Sequence, residues 1–229
     1  MSETTTNLLV DDIRAKSSAA IMRTAFDAIL SGHRISRDDL AEKTGASPAE
    51  IDRLAGRALI LDADERVVAA HGLSLVPACQ HRLTMRGRPF WTWCAIDAIG
   101  IPAGLGERAV VSTTCHYCRT AVRLELRGAE VLAANHPDAR LWEAARLEGR
   151  GEAGPPHCAL MNLFCSAEHL AAWRATHATE RGEQRDLAQT ATLGRSEWGT
   201  FGTRRQTRVG APTPALARRE LGAYPFDIS

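Results

Sequence analysis

The sequence predicts an α+β chain. An N-terminal winged-helix-like set of three helices is followed by a mixed or antiparallel sheet domain with flanking helices. Three observations carry this. Upstream of residue 58, apolar residues recur at helical spacing between strong stop signals. From residue 81, alternating and β-branched runs take over, separated by turn residues. All six cysteines lie between Cys79 and Cys165, so the first third of the chain serves some other purpose. The implied boundaries are a flexible N-terminus over 1–17, the winged-helix-like unit over 18–80, a second domain over 81–203 and a flexible Arg/Pro-rich tail over 204–229.

In chain order, "SAAIMRTAFDAILSG" has helical spacing and stops at Gly32. "ISRDDLAEKTG" reads as a second helix, capped by Ser36 and ended by Gly45. "SPAEIDRLAGR" is a third, with Ser47, Pro48 and Glu50 as cap, first-turn proline and early acid. "ALILDADERVVAAHGLSL" reads as two strands around an Asp-Ala-Asp-Glu turn. "HRLTMRGRPFWTWC" begins as strand, and a short helix follows that Gly100 and Pro102 are expected to end. "AVVSTTC" and "TAVRLELRG" flank "CHYCR" as a hairpin, and "GAEVLAA" adds a strand. "GRGEAGPP" is a loop, and "HCALMNLFC" is an apolar run expected as a buried strand opened by Cys158. Ser166 caps "AEHLAAWRATHA", and "RDLAQTATLGRSEWGTF" closes the domain as a helix.

Composition excludes several classes. A formal charge of +1 gives no global field toward nucleic acid or membrane. Arg37 to Arg57 carries four positive and five negative residues, where a major-groove reader needs a basic face. Packing is therefore the expected role of the helical unit, with no nucleic-acid partner. No apolar run reaches the length of a membrane span, and the polar N-terminus does not read as a signal peptide, so no membrane association and a cytoplasmic location are expected. Cysteines in such a compartment are core, metal-binding or catalytic.

Two cysteine features bear on chemistry. Cys94 and Asp97 stand at i and i+3 and share a helix face beside Trp91, Trp93 and Ile96. Such apolar surroundings raise a carboxyl's pKa and let it hold a proton beside a thiol. The bland alternative is a small core cysteine and a solvated aspartate. Cys158 borders a loop and is placed to face a pocket, while Cys165 reads as structural. Cys115 and Cys118 form C-x-x-C, but no second pair with zinc-knuckle spacing follows, and the histidines show no i, i+4 metal box.

The stretch "FWTWCAIDAIGIPAGLGERAVVSTTC" resembles the core of the organomercurial (alkylmercury) lyases. That family carries Trp-Cys-Ala-Leu-Asp, an apolar helix with proline, and a Val-Ser strand ending in cysteine. Trp93, Cys94, Ala95, Ile96 and Asp97 match the first part, with Ile96 in place of leucine, and Val111, Ser112 and Cys115 match the strand. The family's second active-site cysteine precedes Ser or Thr and a short helix with tryptophan; Cys158 takes that place, followed in step by Phe164, Ser166 and Trp173. "LGRSEWGTF" and "HGLSL" are similar as well, so the resemblance spans residues 18–203. "ALMNLF" lacks the family's histidines and paired phenylalanines, Cys118 falls outside the pattern, and the tail is additional.

The resemblance implies cleavage of a carbon–mercury bond in an organomercurial small molecule, with Cys94 and Cys158 as mercury ligands, Asp97 as proton carrier and Trp93 against the organic group. The residue types suit that reaction. Thiolate is the softest ligand a protein offers a soft cation. Two thiolates on one mercury push electron density onto its carbon, and a nearby carboxyl supplies the proton. The implied products are a hydrocarbon and bound Hg(II), with no organic cofactor. Exogenous small thiols, or hand-off to a mercuric reductase, would remove the metal. Other readings stay open: a thiolate metal-binding protein (metal chaperone or sequestration) without turnover, which has no use for Asp97; a divergent family member with another substrate; and a metal-responsive regulator, which the acidic helices disfavour.

Overall fold

Helical spacing upstream of Gly32 becomes α1 (Glu3–Leu30) in a computed structural model that describes the backbone of residues 3–145 and 158–202 and the side chains of 15–145 and 158–201. The helix starts well before residue 18, where the flexible N-terminus was expected to end; residues 3–17 contain no glycine or proline to stop it. Ile21, Ala25, Phe26 and Ile29 form its fully buried stripe. A two-residue strand β1 (Ile35–Ser36) leads into α2 (Arg37–Thr44), where Ser36 Oγ accepts the Asp39 N–H at 3.0 Å and Gly45 ends the helix at φ 69°. α3 (Pro48–Leu54) starts on a capping box, the Glu50 carboxylate accepting the Ser47 N–H at 2.8 Å.

The larger sheet is antiparallel throughout. Its strands are β1, β2 (Leu59–Leu61), β3 (Arg66–Ala70), β4 (Leu73–Ser74), β5 (Arg82–Met85), β6 (Arg88–Thr92), β7 (Arg108–Thr114), β8 (Ala121–Arg127) and β9 (Glu130–Ala134). They run in the order β1-β3-β4-β6-β5-β7-β8-β9, with β2 on β3. β8 alternates as its sequence does, placing Val122, Leu124 and Leu126 in the core and charges outside. A second, three-stranded antiparallel sheet has the order β11 (Leu163–Phe164), β10 (Arg140–Ala144), β12 (Gly182–Asp186). The remaining helices are α4 (Ala95–Leu105), α5 (Ala167–Thr176) and α6 (Leu187–Gly202). The described chain is thus a mixed α+β fold with six helices. Among the described residues no helix is long and apolar enough to cross a membrane.

Two expectations need correction. α4 does not end at Gly100 and Pro102 but runs through both to Leu105, and Gly106 terminates it at φ 69°. Gly100 is there for packing: a Cβ at that position would collide with the Trp198 ring of α6, and one at Gly104 would stand 2.5 Å from Trp198 Cβ. These glycines let α4 and α6 approach almost backbone to backbone, and that contact offsets the amide bond lost at Pro102. The run from Cys158 is not a strand over its length. Residues 158–161 form a turn, with the Met161 N–H on the Cys158 carbonyl at 2.9 Å and Asn162 Nδ2 on the Ala159 carbonyl at 3.0 Å. Only Leu163–Phe164 pairs as strand, because Asn162 supplies a turn-closing amide inside an otherwise apolar run. The loop expected at 149–156 and the tail expected at 204–229 lie outside the described residues.

Candidate active site

Strand β6 delivers Trp93 and Cys94 to the start of α4. Cys94 is the N-cap residue, with extended backbone at φ −151° and ψ 175°. Its Sγ accepts the Asp97 N–H at 3.4 Å, and Asp97 Oδ2 accepts the Cys94 N–H at 3.1 Å. Cys-x-x-Asp is therefore a capping box in which thiol replaces the usual hydroxyl. The i, i+3 spacing brings the two side chains together, and the helix N-terminus directs its amide dipoles at the sulfur.

Cys158 reaches the same point from the other side. The Ala95 N–H donates to the Met161 carbonyl at 3.2 Å, pinning the Cys158–Met161 turn onto the first residue of α4. Met161 Sδ lies 3.9 Å from Cys94 Sγ. The ligand atoms of Cys94, Asp97 and Cys158 all fall within 4.8 Å of one another, and all three residues are buried. The structure thus brings together three of the four residues singled out in the sequence, and the fourth, Trp93, lines the same cavity of about 370 Å³.

Burial dominates the electrostatics. It drives the Cys94 thiol well above its ordinary range, and the neighbouring Cys158 and Asp97 push it further up. Burial also raises the Asp97 carboxyl to about 7, against the Cys94 thiol and the backbone amides of Cys94 and Trp93, which favour its charged form. A carboxyl that exchanges its proton near neutrality thus sits beside two buried sulfurs.

The stretch "HGLSL", similar to the family but given no role from the sequence, builds the cradle behind Asp97. His71 and Gly72 turn from β3 into β4 with φ of 48° and 88°. A Cβ on Gly72 would lie 2.6 Å from Asp97 Cγ, so only glycine leaves room for the carboxyl. The turn is held from two sides: the Gly72 carbonyl accepts the Trp93 N–H at 3.1 Å, and the His71 carbonyl accepts Trp198 Nε1 at 3.2 Å. Trp198, Glu197, Glu143 and Arg185 also line the cavity, and Arg185 Nε donates to the Glu143 carboxylate. The contributions from β10 and β12 arise from long-range packing, and only pairing information could have revealed them; those from α6 lie in "LGRSEWGTF", whose family similarity carried no role.

The sequence model of the alkylmercury lyase family (MerB) matches residues 73–199, a span that contains Cys94, Asp97 and Cys158. An alkylmercury lyase of Staphylococcus epidermidis is 24% identical over 172 residues, which is 75% of this chain and 79% of that protein. One from Bacillus cereus is 23% identical over 159 residues, 69% of this chain and 72% of that protein. Among solved structures, the crystal structure of the mercury-bound form of MerB2 superposes with a TM-score of 0.73 at 23% identity, covering 82% of this chain and 92% of that one. At that identity it is the fold that the two share.

Proposed function

The chain belongs to the alkylmercury lyase family, and from that premise we propose that it breaks carbon–mercury bonds by protonolysis, using Cys94, Cys158 and Asp97. The observation that carries this reading is the buried meeting of two sulfurs and one carboxyl within 4.8 Å. An organomercurial R–Hg–X enters the cavity with its organic group against Trp93. The Asp97 carboxylate takes the Cys94 thiol proton, and the thiolate replaces X on mercury. Cys158 adds as second thiolate, and its proton leaves with X. With two sulfurs on the metal, the carbon becomes basic and takes the proton held by Asp97. The hydrocarbon R–H departs and Hg(II) remains bridged between the two cysteines. Two molecules of an external thiol then return both cysteine protons and carry mercury away, directly or to a reductase. No organic cofactor enters the scheme.

The geometry suits each role. The helix N-terminus favours the Cys94 thiolate once its proton has left. A carboxyl near 7 binds and releases a proton with little bias at neutral pH. Trp93 and Trp198 give the cavity an apolar wall that accepts an organic group.

The first three helices with the β2–β3 hairpin form, on this reading, a winged-helix-like unit used for packing. Phe26, Leu40 and Ile51 are fully buried, and Arg37 is tied to Asp52 and Glu65 rather than free for phosphate. The cytoplasm is the expected compartment, since small thiols are abundant there.

The test is headspace analysis after mixing the protein with methyl- or phenylmercury and excess thiol. Methane or benzene in step with protein turnover supports the proposal. Tight mercury binding without hydrocarbon release favours a sequestering protein.

A further inference from the structure

Away from the cavity, the fold assembles a second cluster that the proposed reaction does not use. Cys115 and Cys118 occupy the turn between β7 and β8, while Cys165 and His169 bracket the start of α5. The sequence holds neither a second closely spaced cysteine pair nor paired histidines to complete a metal site with them. The partner is in fact mixed: Cys165 and His169 are i and i+4 across a helix N-cap. All four ligand atoms lie within 4.8 Å of one another. We propose that Cys115, Cys118, Cys165 and His169 form a structural Cys3His zinc site.

The geometry supports this. Metal–sulfur distances of about 2.3 Å and metal–nitrogen distances of about 2.0 Å at tetrahedral angles place sulfurs about 3.8 Å apart and sulfur about 3.6 Å from nitrogen. Cys118 Sγ and Cys165 Sγ are 3.7 Å apart, and Cys115 Sγ is 3.8 Å from His169 Nδ1. Cys165 Sγ and His169 Nδ1 are at hydrogen-bonding distance, 2.9 Å, and separate slightly on coordination. None of the three sulfurs is held in a disulfide, since all the cysteines are free thiols. Three thiolates and one imidazole in a closed set are the donor chemistry of structural zinc.

The backbone is shaped to hold this set. The Cys115 N–H donates to the Thr120 carbonyl at 2.8 Å, the Arg119 N–H to the Cys115 carbonyl at 2.9 Å, and Arg119 takes φ 63°. This folds C-x-x-C into a tight knuckle. The His116 N–H donates to the Leu163 carbonyl at 2.8 Å, docking the knuckle on β11. Ser166 Oγ accepts the His169 N–H at 3.3 Å, fixing the first turn of α5 that presents the imidazole. Metal binding would therefore staple the larger sheet to the smaller one, at the strand whose upstream turn carries Cys158. The site is independent of the mercury chemistry, so its test does not depend on turnover.

The experiment is elemental analysis of full-length protein expressed with zinc in the medium and purified with reductant and without chelator. The expected result is about one zinc per chain, falling at least tenfold in Cys118→Ser and in Cys165→Ser, and unchanged in Cys94→Ser. Cobalt exchange into the wild type keeps the test valid if the serine variants fail to fold: visible ligand-field bands of a tetrahedral thiolate complex are expected, abolished by added zinc. Wild type without zinc and without those bands would overturn the proposal. So would zinc that persists in Cys118→Ser, or a Cys118–Cys165 disulfide in protein isolated anaerobically.

Discussion

Replacing Asp97 with asparagine should stabilise the protein, and the gain should depend on pH. The wild-type carboxyl titrates near 7 in the folded chain and near its ordinary value of 3.8 when unfolded, because burial penalises the charge. Between those values the folded state binds more protons than the unfolded state, so wild-type stability falls as pH rises through that window and levels off above it. About three pKa units at about 1.36 kcal/mol each correspond to a loss of about 4 kcal/mol by pH 8 and almost none at pH 4. Asparagine has a similar shape, can still accept the Cys94 N–H, and carries no charge to desolvate. Urea denaturation under reductant, at several pH values between 4 and 8, measures the difference between the two proteins. The expected curve starts near zero and climbs toward about 4 kcal/mol, equivalent to roughly 8–16 °C in Tm for a domain of this size. A difference that stays flat across this range, or a variant less stable than wild type at pH 8, would show that Asp97 is not a buried, proton-holding carboxyl.

Other substitutions probe the neighbours. Gly72→Ala puts a Cβ 2.6 Å from Asp97 Cγ at φ 88°; it should cost about 1–2 kcal/mol from the backbone conformation alone and displace the carboxyl, cutting hydrocarbon release while mercury binding persists, as isothermal titration would record. Cys94→Ser and Cys158→Ser should each retain one equivalent of Hg(II) less than wild type through dialysis against competing thiol, since hydroxyl is a poor ligand for a soft metal; retention equal to wild type would remove that cysteine from the site. Gly194→Ala should destabilise by about 1–3 kcal/mol, because its Cβ meets the Gly100 backbone across the α4–α6 contact; thermal melts that leave Tm unchanged would contradict the packing argument.

Much of this fold was legible where local chemistry decides. Ser36, Gly45, Ser47 and Ser166 marked helix boundaries correctly because caps and stops act within a few residues. The α4 boundary was misread because Gly100 looks like a breaker unless Trp198, far along the chain, is known to lie against it. The strand expected from Cys158 failed on Asn162, whose amide closes a turn that hydropathy alone cannot distinguish from strand. Strands β10 and β12 carried too little alternation to stand out, and with them went Glu143 and Arg185 at the cavity. The Cys94–Asp97 pair could be read from spacing because a helix fixes it. The placement of Cys158 beside it depends on a tertiary contact, Ala95 to Met161, and only the family resemblance pointed there.

In the proposed reaction an exchangeable proton passes through Asp97 to carbon, and isotope incorporation tests that step most directly. Phenylmercury, excess thiol and protein equilibrated in D2O should give benzene carrying one deuterium, identified by mass spectrometry of the headspace. Asp97→Asn should release it at least ~100-fold more slowly, the factor a positioned acid typically supplies. Unlabelled benzene from wild type, or full-rate monodeuterated benzene from the Asp97→Asn variant, would contradict the proposed route.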